Sequence, residues 1–299
     1  MNIVQVKVDI VQRYTGHKGA VFSALHNPQE QSLYSGGAEG YIVKWELKND
    51  EGTLLCRVEN PVWSFCITPQ NDLIAGTSQG VIHVMSGTER TETRAWIAHT
   101  KGVFNIVYQN PFYYTCGGDG TIKKWDEQWN LLQTIPLCNT NIRQIIFHPI
   151  TQHLFAACSD HKIYELNTEG TVLQTLHRHN NSVFGIALSK DGETLYSVGR
   201  DAQLISHNLS THNYFTVNAH WYSIHSVDVS QCGNWLATSS MDKTIKIWEA
   251  HSLRLLKVID VNKYNAHKNC INKVIWLDPN HLISCSDDKT LIQFKIYIQ

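Results

Sequence analysis

The sequence predicts an all-β protein built from seven copies of one unit of about 40 residues. The first observation is a turn position that recurs along the whole chain, at Glu39, Gln79, Asp119, Asp160, Asp201, Asp242 and Asp288. The second is a position six residues later, at Trp45, Met85, Trp125, Leu166, His207, Trp248 and Phe294. Both series advance by 40, 40, 41, 41, 41 and 46 residues, which indicates a repeat architecture. The third is that no segment carries apolar residues at helical spacing, so very little helix is expected.

Each unit contains short runs of alternating polarity that are rich in β-branched and aromatic residues. One set of predicted strands reads VFSAL, VWSFCI, VFNIVY, IIF, VFGIAL, HSVDV and NKVIW. The next set reads LYSGG, LIAGT, YYTCGG, LFAAC, LYSVG, LATSS and LISCS. Turn clusters such as SKDGE separate the two sets, as is typical of strands linked by hairpins. The glycine-rich stretch CGGDGTIKKWD, residues 116–126, is therefore interpreted as a turn and its following strand, and it matches neither common phosphate-binding pattern.

The composition argues against several functional classes. The net charge is −1 and the pI is about 7.0, which gives no basic footprint for nucleic acid. No apolar run approaches the ~20 residues that span a bilayer, and Met1–Asp9 lacks the features of a secretory signal. A cytoplasmic, soluble protein is expected. Eight cysteines without a CxxC pair, mostly in apolar runs, predict reduced core thiols, with no metal site and no cofactor.

A third recurring position carries the family resemblance. It lies four residues before the leading Val or Ile of each unit, at His17, Val58, His99, Cys138, His179, His220 and His267. With TGH…KWE, AHT…KWD and NAH…KIWE, the chain resembles the WD40-repeat proteins over nearly its whole length. The resemblance implies a single seven-bladed β-propeller, 1–299, made of four-stranded antiparallel blades. The approximate repeats are 15–57, 58–97, 98–137, 138–177, 178–218, 219–260 and 261–299.

The ends of the chain predict how this ring closes. The run DIVQRY before His17 is an outer-type strand without a unit of its own, whereas only KIYIQ follows Phe294. The N-terminal strand, 8–14, is therefore expected to complete the last blade and remove a free sheet edge.

The resemblance also implies a buried hydrogen-bonded tetrad of His, Ser or Thr, Asp and Trp in the blades that keep these residues. The three full or nearly full sets are His17, Ser35, Glu39, Trp45; His99, Thr115, Asp119, Trp125; and His220, Thr238, Asp242, Trp248. Two partial sets are His179, Ser197, Asp201 and His267, Ser284, Asp288. Blades two and four have lost His, hydroxyl and Trp together, as expected because a half-satisfied buried network is worse than an apolar core. Repetition around the ring argues against reading the Ser–His–acid groups as catalytic triads.

In this fold the residue after the leading Val or Ile of each inner strand opens toward the top face. These positions are Phe22, Trp63, Phe104, Arg143, Phe184, His225 and Asn272. Among the residues just before the turn acid, Arg200, Met241 and Asp287 complete the predicted partner-binding set. Large aromatics and Arg are favoured at interaction hot spots, so an interaction surface is the preferred interpretation, and the alternative is that these rings fill core between blades. Three arginines of blades four and five are either candidate anion ligands or an ordinary charged rim: Arg143, Arg178 and Arg200. Separately, the extra residues around VNKYN predict a longer top-face loop beside Asn272 and Asp287.

The leading hypothesis is therefore a non-enzymatic, monomeric scaffold that binds a peptide or protein partner through the aromatic top face, without nucleic acid or membrane. One alternative is a propeller enzyme or small-ligand binder with a site in the central channel. Another is a permanent subunit of a larger assembly that docks through its side or bottom.

Overall fold

The first four blades take up residues 21–176 in a regular order. The structure is a computed structural model that describes residues 5–87 and 91–298. Blade one contains β2 (Val21–Asn27), β3 (Ser32–Gly37), β4 (Tyr41–Glu46) and β5 (Gly52–Arg57), and blade two contains β6 (Val62–Ile67), β7 (Leu73–Thr77), β8 (Val81–Ser86) and β9 (Thr91–Ile97). Blade three contains β10 (Val103–Gln109), β11 (Phe112–Gly117), β12 (Thr121–Trp125) and β13 (Leu131–Pro136), and blade four contains β14 (Ile142–Phe147), β15 (Leu154–Cys158), β16 (Ile163–Leu166) and β17 (Val172–Leu176).

The last three blades complete the ring. Blade five contains β18 (Val183–Leu188), β19 (Thr194–Gly199), β20 (Gln203–Asn208) and β21 (Tyr214–Asn218), and blade six contains β22 (Ile224–Val229), β23 (Trp235–Ser240), β24 (Ile245–Glu249) and β25 (Leu255–Ile259). Blade seven contains β26 (Ile271–Trp276), β27 (His281–Ser286), β28 (Thr290–Ile298) and, as its outer strand, β1 (Val6–Thr15). The predicted seven-bladed propeller of four-stranded antiparallel sheets is confirmed.

The chain closes by pairing its two ends. Strand β1 runs antiparallel to β28, from Val6 opposite Ile298 to Thr15 opposite Thr290. Near the C-terminal end of β1, the buried hydroxyl of Tyr14 donates to Gln293 Oε1 at 2.9 Å. The predicted closure is confirmed, and β1 is longer than the expected segment because β28 itself extends far enough to pair with it.

The core lies between adjacent blades rather than at one centre. The second strands β3, β7 and β15 are buried along their whole length, because both of their faces pack against neighbouring sheets. Strands buried on both faces carry continuous runs of apolar and small residues. This arrangement accounts for the low proportion of charged residues, 17%.

Every inner strand contains a bulge one residue after its start. The pairing of β2 with β3 places Val21 opposite Gly37 and Ser23 opposite Gly36, so Phe22 has no partner. The same shift occurs in the other six blades. The unpaired residues are Phe22, Trp63, Phe104, Arg143, Phe184, His225 and Asn272. A bulge turns its side chain out of the regular strand alternation, and here it does so at the same level in all seven blades.

Polar side chains link the inner strand of one blade to that of the next. Asn105 accepts from the backbone N–H of Ile145, and Gln144 accepts from that of Ile186. Asp228 accepts from Trp276 in the same way at 2.8 Å, and burial raises the pKa of this carboxyl to about 6. Ser64 donates to the carbonyl of Val103, and Asn272 donates to that of Val21, which joins the last blade to the first.

Only one helix is present in the described ranges, α1 (Val261–Tyr264), and the expectation of very little helix is confirmed. It forms within the extra residues before His267, and the side chain of Asp260 caps it by accepting from the N–H of Lys263. The helix packs beside β1, the outer strand of blade seven, rather than lengthening a loop beside Asn272. The described part of the chain has no helix of the length and apolar character needed to cross a membrane.

All eight cysteines are free thiols. Cys66, Cys116, Cys158 and Cys285 are buried, whereas Cys232 is exposed on a turn. The expectation of core thiols therefore holds for half of them and fails for Cys232.

Deleting residues 1–14 should markedly lower the thermal stability of the protein, because it leaves β28 as an open edge and exposes the core beneath β1. The measurement is a melting curve by circular dichroism, with light scattering to follow aggregation. A truncation of residues 1–4 is the matched control because it leaves β1 intact. Equal melting temperatures for the longer truncation and the control would refute the role of β1 in closure.

Candidate functional site

Blades one, three and six each contain a connected hydrogen-bond network that runs from the turn to the third strand. In blade three, His99 Nδ1 lies 3.0 Å from Asp119 Oδ1 and His99 Nε2 lies 2.8 Å from Thr115 Oγ1. The indole of Trp125 donates to the same hydroxyl oxygen at 3.0 Å. Because an ionised carboxylate only accepts, Nδ1 must carry the proton and Nε2 must accept from the threonine. The equivalent contacts join His17 with Ser35, Glu39 and Trp45, and His220 with Thr238, Asp242 and Trp248.

Burial and hydrogen bonding shift the pKa values of several side chains in these networks. Burial by itself raises the pKa of Asp119, Asp242 and Asp288, but hydrogen bonds from histidine and threonine outweigh it and hold all three well below the usual range. Burial lowers the pKa of His17 and His220, opposed by their acid partners. In the His220–Asp242 pair a neutral imidazole therefore donates to an ionised carboxylate. The hydroxyls of Thr121, Thr244 and Thr290 each add a hydrogen bond to the turn aspartate, which the pattern D-x-T in the sequence signals.

Blades five and seven keep the contact between histidine and acid, but they lack the tryptophan at the other end of the network. His179 lies 2.9 Å from Asp201 Oδ2 and 2.8 Å from Ser197 Oγ. His207 stands where other blades have Trp, and its Nε2 lies 2.9 Å from the same serine oxygen. In blade seven His267 contacts Ser284 and Asp288, while Phe294 packs in the core. An imidazole N–H thus substitutes for an indole N–H in blade five.

Blades two and four replace the network with other contacts. In blade two Val58, Ala75 and Met85 pack together in one apolar cluster. In blade four the turn aspartate, Asp160, accepts from the hydroxyl of Tyr164 at 2.6 Å instead of from a histidine. Each blade therefore has either a connected hydrogen-bond network or other contacts in its place. This is expected because a buried polar network is costly when only some of its members have partners.

The seven bulged residues line one cavity of about 370 Å³. Since each inner strand contributes one of them, the cavity lies on the ring axis, and we call it the mouth. It opens on the same end as the turns that carry the acids, because a Cβ at Gly118, next to Asp119, would lie 3.3 Å from the Phe104 ring. All seven side chains are half-buried rather than packed fully between blades.

Five of the mouth residues form a continuous stack. The rings of Trp63 and Phe104 are 4.8 Å apart and nearly parallel, at 23°. The guanidinium carbon of Arg143 lies 4.4 Å from the Phe104 ring centre and 5.0 Å from that of Phe184. Phe184 meets His225 edge-on at 5.7 Å. Rings held by neighbours in this way lose little freedom when a ligand binds.

The position of Trp63 depends on a glycine in the next blade. A Cβ at Gly102 would lie 2.2 Å from Cζ3 of Trp63, so any side chain there displaces the indole. The ring therefore lies directly over the Gly102 backbone, which makes Gly102 part of the mouth although it contributes no side chain.

The three other predicted contact residues do not line the mouth. Asp287 accepts from Asn272 Nδ2 at 2.8 Å, and Met241 is 53% exposed on blade six. Arg200 is close enough to Arg143 to lower the pKa of that guanidinium, although burial contributes more. Arg178 does not join these two arginines, because its guanidinium stacks on Tyr214 of the outer strand β21 at 4.5 Å.

Two aromatic side chains on the top of blade six were not predicted from the sequence. Trp221 is 88% exposed and Tyr222 is 61% exposed, and both follow His220 in the loop that leads to His225. Their neighbour Ser223 contacts Met241, so the three apolar side chains share this part of the surface. The available signal was the loop HWYS, in which two large aromatics occupy positions that other repeats fill with small or polar residues.

Within residues 5–87 and 91–298, no group of three or more His, Cys, Asp or Glu side chains is placed to hold a metal ion.

Comparison with protein families identifies the repeat. The description "WD domain, G-beta repeat" matches residues 9–46, 90–126, 170–205, 212–249 and 259–295, which together exceed half of the chain. Among solved structures, the WD40 β-propeller domain of Doa1 superposes with a TM-score of 0.86 over 97% of both chains, at 18% sequence identity. That likeness concerns the fold.

Several curated proteins are similar at low identity. WD repeat-containing protein 90 of Mus musculus is 27% identical over 60% of this chain and 11% of its own length. Protein tipD of Dictyostelium discoideum is 22% identical over 95% of this chain and 48% of its own. Human serine-threonine kinase receptor-associated protein is 25% identical over 53% of this chain and 46% of its own. The chain spans less than half the length of each of these relatives.

Replacing His207 with Gln should remove part of the acid sensitivity of the fold. Burial lowers the pKa of His207 from 6.5 to about 3. Between these two pH values the imidazole is protonated in the unfolded chain but neutral in the folded chain. Wild-type stability should therefore fall as the pH drops from 6.5 toward 3, by on the order of 4 kcal/mol from this group. The amide of the substituted glutamine retains an N–H for Ser197 without titrating, so the unfolding free energy of the variant should decline less over that window.

The measurement is urea unfolding at several pH values, with the exposed His251→Gln as the control. Parallel declines for wild type and His207→Gln would contradict the assignment.

Proposed function

The chain belongs to the WD40 family of WD-domain, G-beta repeats, whose members typically act as protein-interaction scaffolds, and on that premise we propose that it binds a peptide segment of a protein partner in the mouth. The scaffold is non-enzymatic, cytoplasmic and monomeric in this proposal. The observation that carries it is the stack of Trp63, Phe104, Arg143, Phe184 and His225 around one open cavity. Trp, Tyr and Arg are enriched among the residues that carry most of the binding energy of protein interfaces, where a partner encloses them in a well-packed pocket.

The dimensions of the mouth suit one or two side chains of a peptide. A cavity of about 370 Å³ lies at the small end of the range for ligand pockets. Its walls are already stacked on one another, so binding would cost little side-chain ordering. A protein segment fits better than nucleic acid, since the net charge of −1 supplies no general attraction for phosphates.

The chemistry of the mouth supports binding rather than catalysis. Asp287, the acid that contacts a mouth residue, is held by Asn272. Burial lowers the pKa of His225, with Asn272 and Asp287 opposing this, so the imidazole is neutral at pH 7. His225 Nδ1 lies 3.4 Å from Cys270 Sγ, but burial raises the pKa of this thiol to about 12, so it stays protonated at pH 7 instead of forming the thiolate that covalent catalysis requires.

A second candidate function rests on the outer strands of blades three, four and five. Leu131 and Leu132 on β13, Val172 and Leu173 on β17, and Tyr214 and Phe215 on β21 are each about half exposed. Apolar side chains repeated along the side of the ring are typical of a subunit that docks laterally into an assembly. This candidate predicts a partner that needs the side of the propeller and not its mouth.

Substituting Trp63→Ala together with Phe104→Ala should abolish capture of the partner while leaving the fold intact. The two rings form the parallel stack at the mouth, and removing an aromatic hot spot costs about 2 kcal/mol or more of binding free energy. The measurement is affinity purification from the source cells with quantitative mass spectrometry, with circular dichroism to verify folding.

Tyr214→Ala with Phe215→Ala is the matched control, because it also removes two aromatics but from the outer strand β21. Loss in the mouth variant alone supports the proposed function. Loss in the control variant alone would replace it with lateral docking.

A further inference from the structure

The guanidinium of Arg143 is the one charged group that lines the mouth, and two aromatic rings lie close to it. Phe104 lies on one side at 4.4 Å and Phe184 lies at 5.0 Å. The neighbouring blades supply these two rings, since Arg143 comes from blade four. With one ring from each neighbouring blade close to its central carbon, the guanidinium can offer the edge that carries its N–H donors to the cavity that it lines.

Most of those donors have no partner within the described part of the chain. Arginine has five N–H donors, and the one recorded hydrogen bond runs from Nε to Ser159 Oγ at 3.2 Å. No described carboxylate forms an ion pair with Arg143. Its surroundings instead oppose its charge, because burial first and the nearby Arg200 second lower the pKa of Arg143.

An unpaired, partly buried charge beside a like charge is costly, and a ligand of opposite charge would offset that cost. The edge of a guanidinium presents two parallel N–H donors that fit a planar carboxylate in a bidentate geometry. The rings on either side would then contact apolar parts of the same ligand. Asp287 is hydrogen-bonded to Asn272, and His225 packs edge-on against Phe184, so neither is paired with this edge.

We propose that the occupant of the mouth carries a carboxylate, from an acidic side chain or a chain terminus, that pairs with the exposed edge of Arg143 while its apolar neighbours rest on Trp63, Phe104 and Phe184. This inference rests on the proposed function and specifies the class of peptide that the mouth accepts. A phosphate group is the nearest competitor. It is the less suited one, because a single guanidinium offers one planar donor edge and cannot surround a tetrahedral dianion.

The test uses three small probes that share a phenyl ring: phenylacetate, its neutral isostere phenylacetamide, and phenyl phosphate. Each is titrated into full-length protein with ¹⁵N-labelled tryptophan, and the indole signal of Trp63, assigned with Trp63→Phe, gives the dissociation constant. Phenylacetate should bind wild type about tenfold more tightly than phenylacetamide, the scale of one charge-assisted hydrogen-bond pair. Arg143→Gln should bring the affinities for phenylacetate and phenylacetamide within about twofold of each other by removing that pair.

Arg178→Gln is the matched control, since it removes the same charge from a residue that stacks on the outer strand. It should keep the full preference for phenylacetate. Arg143→Lys provides a second variant that keeps the charge and loses the planar edge, and it should lose most of the preference. If neither substitution at 143 folds, the comparison of phenylacetate with phenylacetamide in the wild type decides alone.

Equal affinity of wild type for phenylacetate and phenylacetamide would overturn the proposal, as would no response of Trp63 to any probe. Tighter binding of phenyl phosphate than of phenylacetate would overturn it in favour of a phosphate site. These failures are distinct from failure of the proposed function. Suppose that wild type shows no preference for phenylacetate but partner capture still requires Trp63 and Phe104. Peptide binding in the mouth then stands, and only the class of peptide changes.

Discussion

The pairing of β1 with β28 is the constraint on which the rest of this structure depends. A propeller blade has an apolar surface on both faces and is stable only between two neighbours. The first and last blades obtain their neighbours when the chain ends meet, and the contact of Asn272 with the carbonyl of Val21 repeats that closure at the inner edge. The mouth has seven walls because the ring is closed, so the geometry at Arg143 depends on a strand that lies at the periphery.

Two local devices then determine what faces the axis. The bulge at the start of each inner strand turns one side chain toward the mouth, and Gly102 in the next blade leaves room for Trp63. The histidine–acid networks hold the adjacent turns in place from beneath. Where the network is absent, in blades two and four, apolar packing or the Tyr164–Asp160 contact takes over that task. The contacts that hold the turns thus vary from blade to blade, whereas every blade keeps one bulged position on its inner strand.

Much of the fold followed from the sequence because its signals are local and repeated. The period of the turn acids and the alternation of the strands predicted seven repeats of hairpin-linked strands. The resemblance to the WD40-repeat proteins implied the four-stranded blades, and the unpaired run DIVQRY predicted their closure. The seven positions that line the mouth were also expected on the top face, because the WD40 resemblance implies where the residue after the leading Val or Ile points; the bulge that turns them there was not predicted.

What the sequence did not reveal depends on distances between residues that are far apart in the chain. The contacts of Arg143 with Phe104 and Phe184 join three blades, whereas Arg178 stacks on Tyr214 of the outer strand β21. The links from Asn105 and Gln144 to the next inner strand were likewise invisible, because each polar side chain looks ordinary in its own repeat. Exposure of Trp221 was missed since a single sequence does not distinguish a core aromatic from a surface one.

Binding of the occupant in the mouth, rather than on the side of the propeller, is open to a direct measurement. Site-specific photo-crosslinking in the source cells provides it, with benzoylphenylalanine placed at Phe22, on the mouth, and separately at Phe215, on the outer strand β21. We expect a covalent adduct from position 22 whose mapped peptide contains a carboxylate near the crosslink, and none from position 215. An adduct from position 215 with none from position 22 would contradict binding in the mouth.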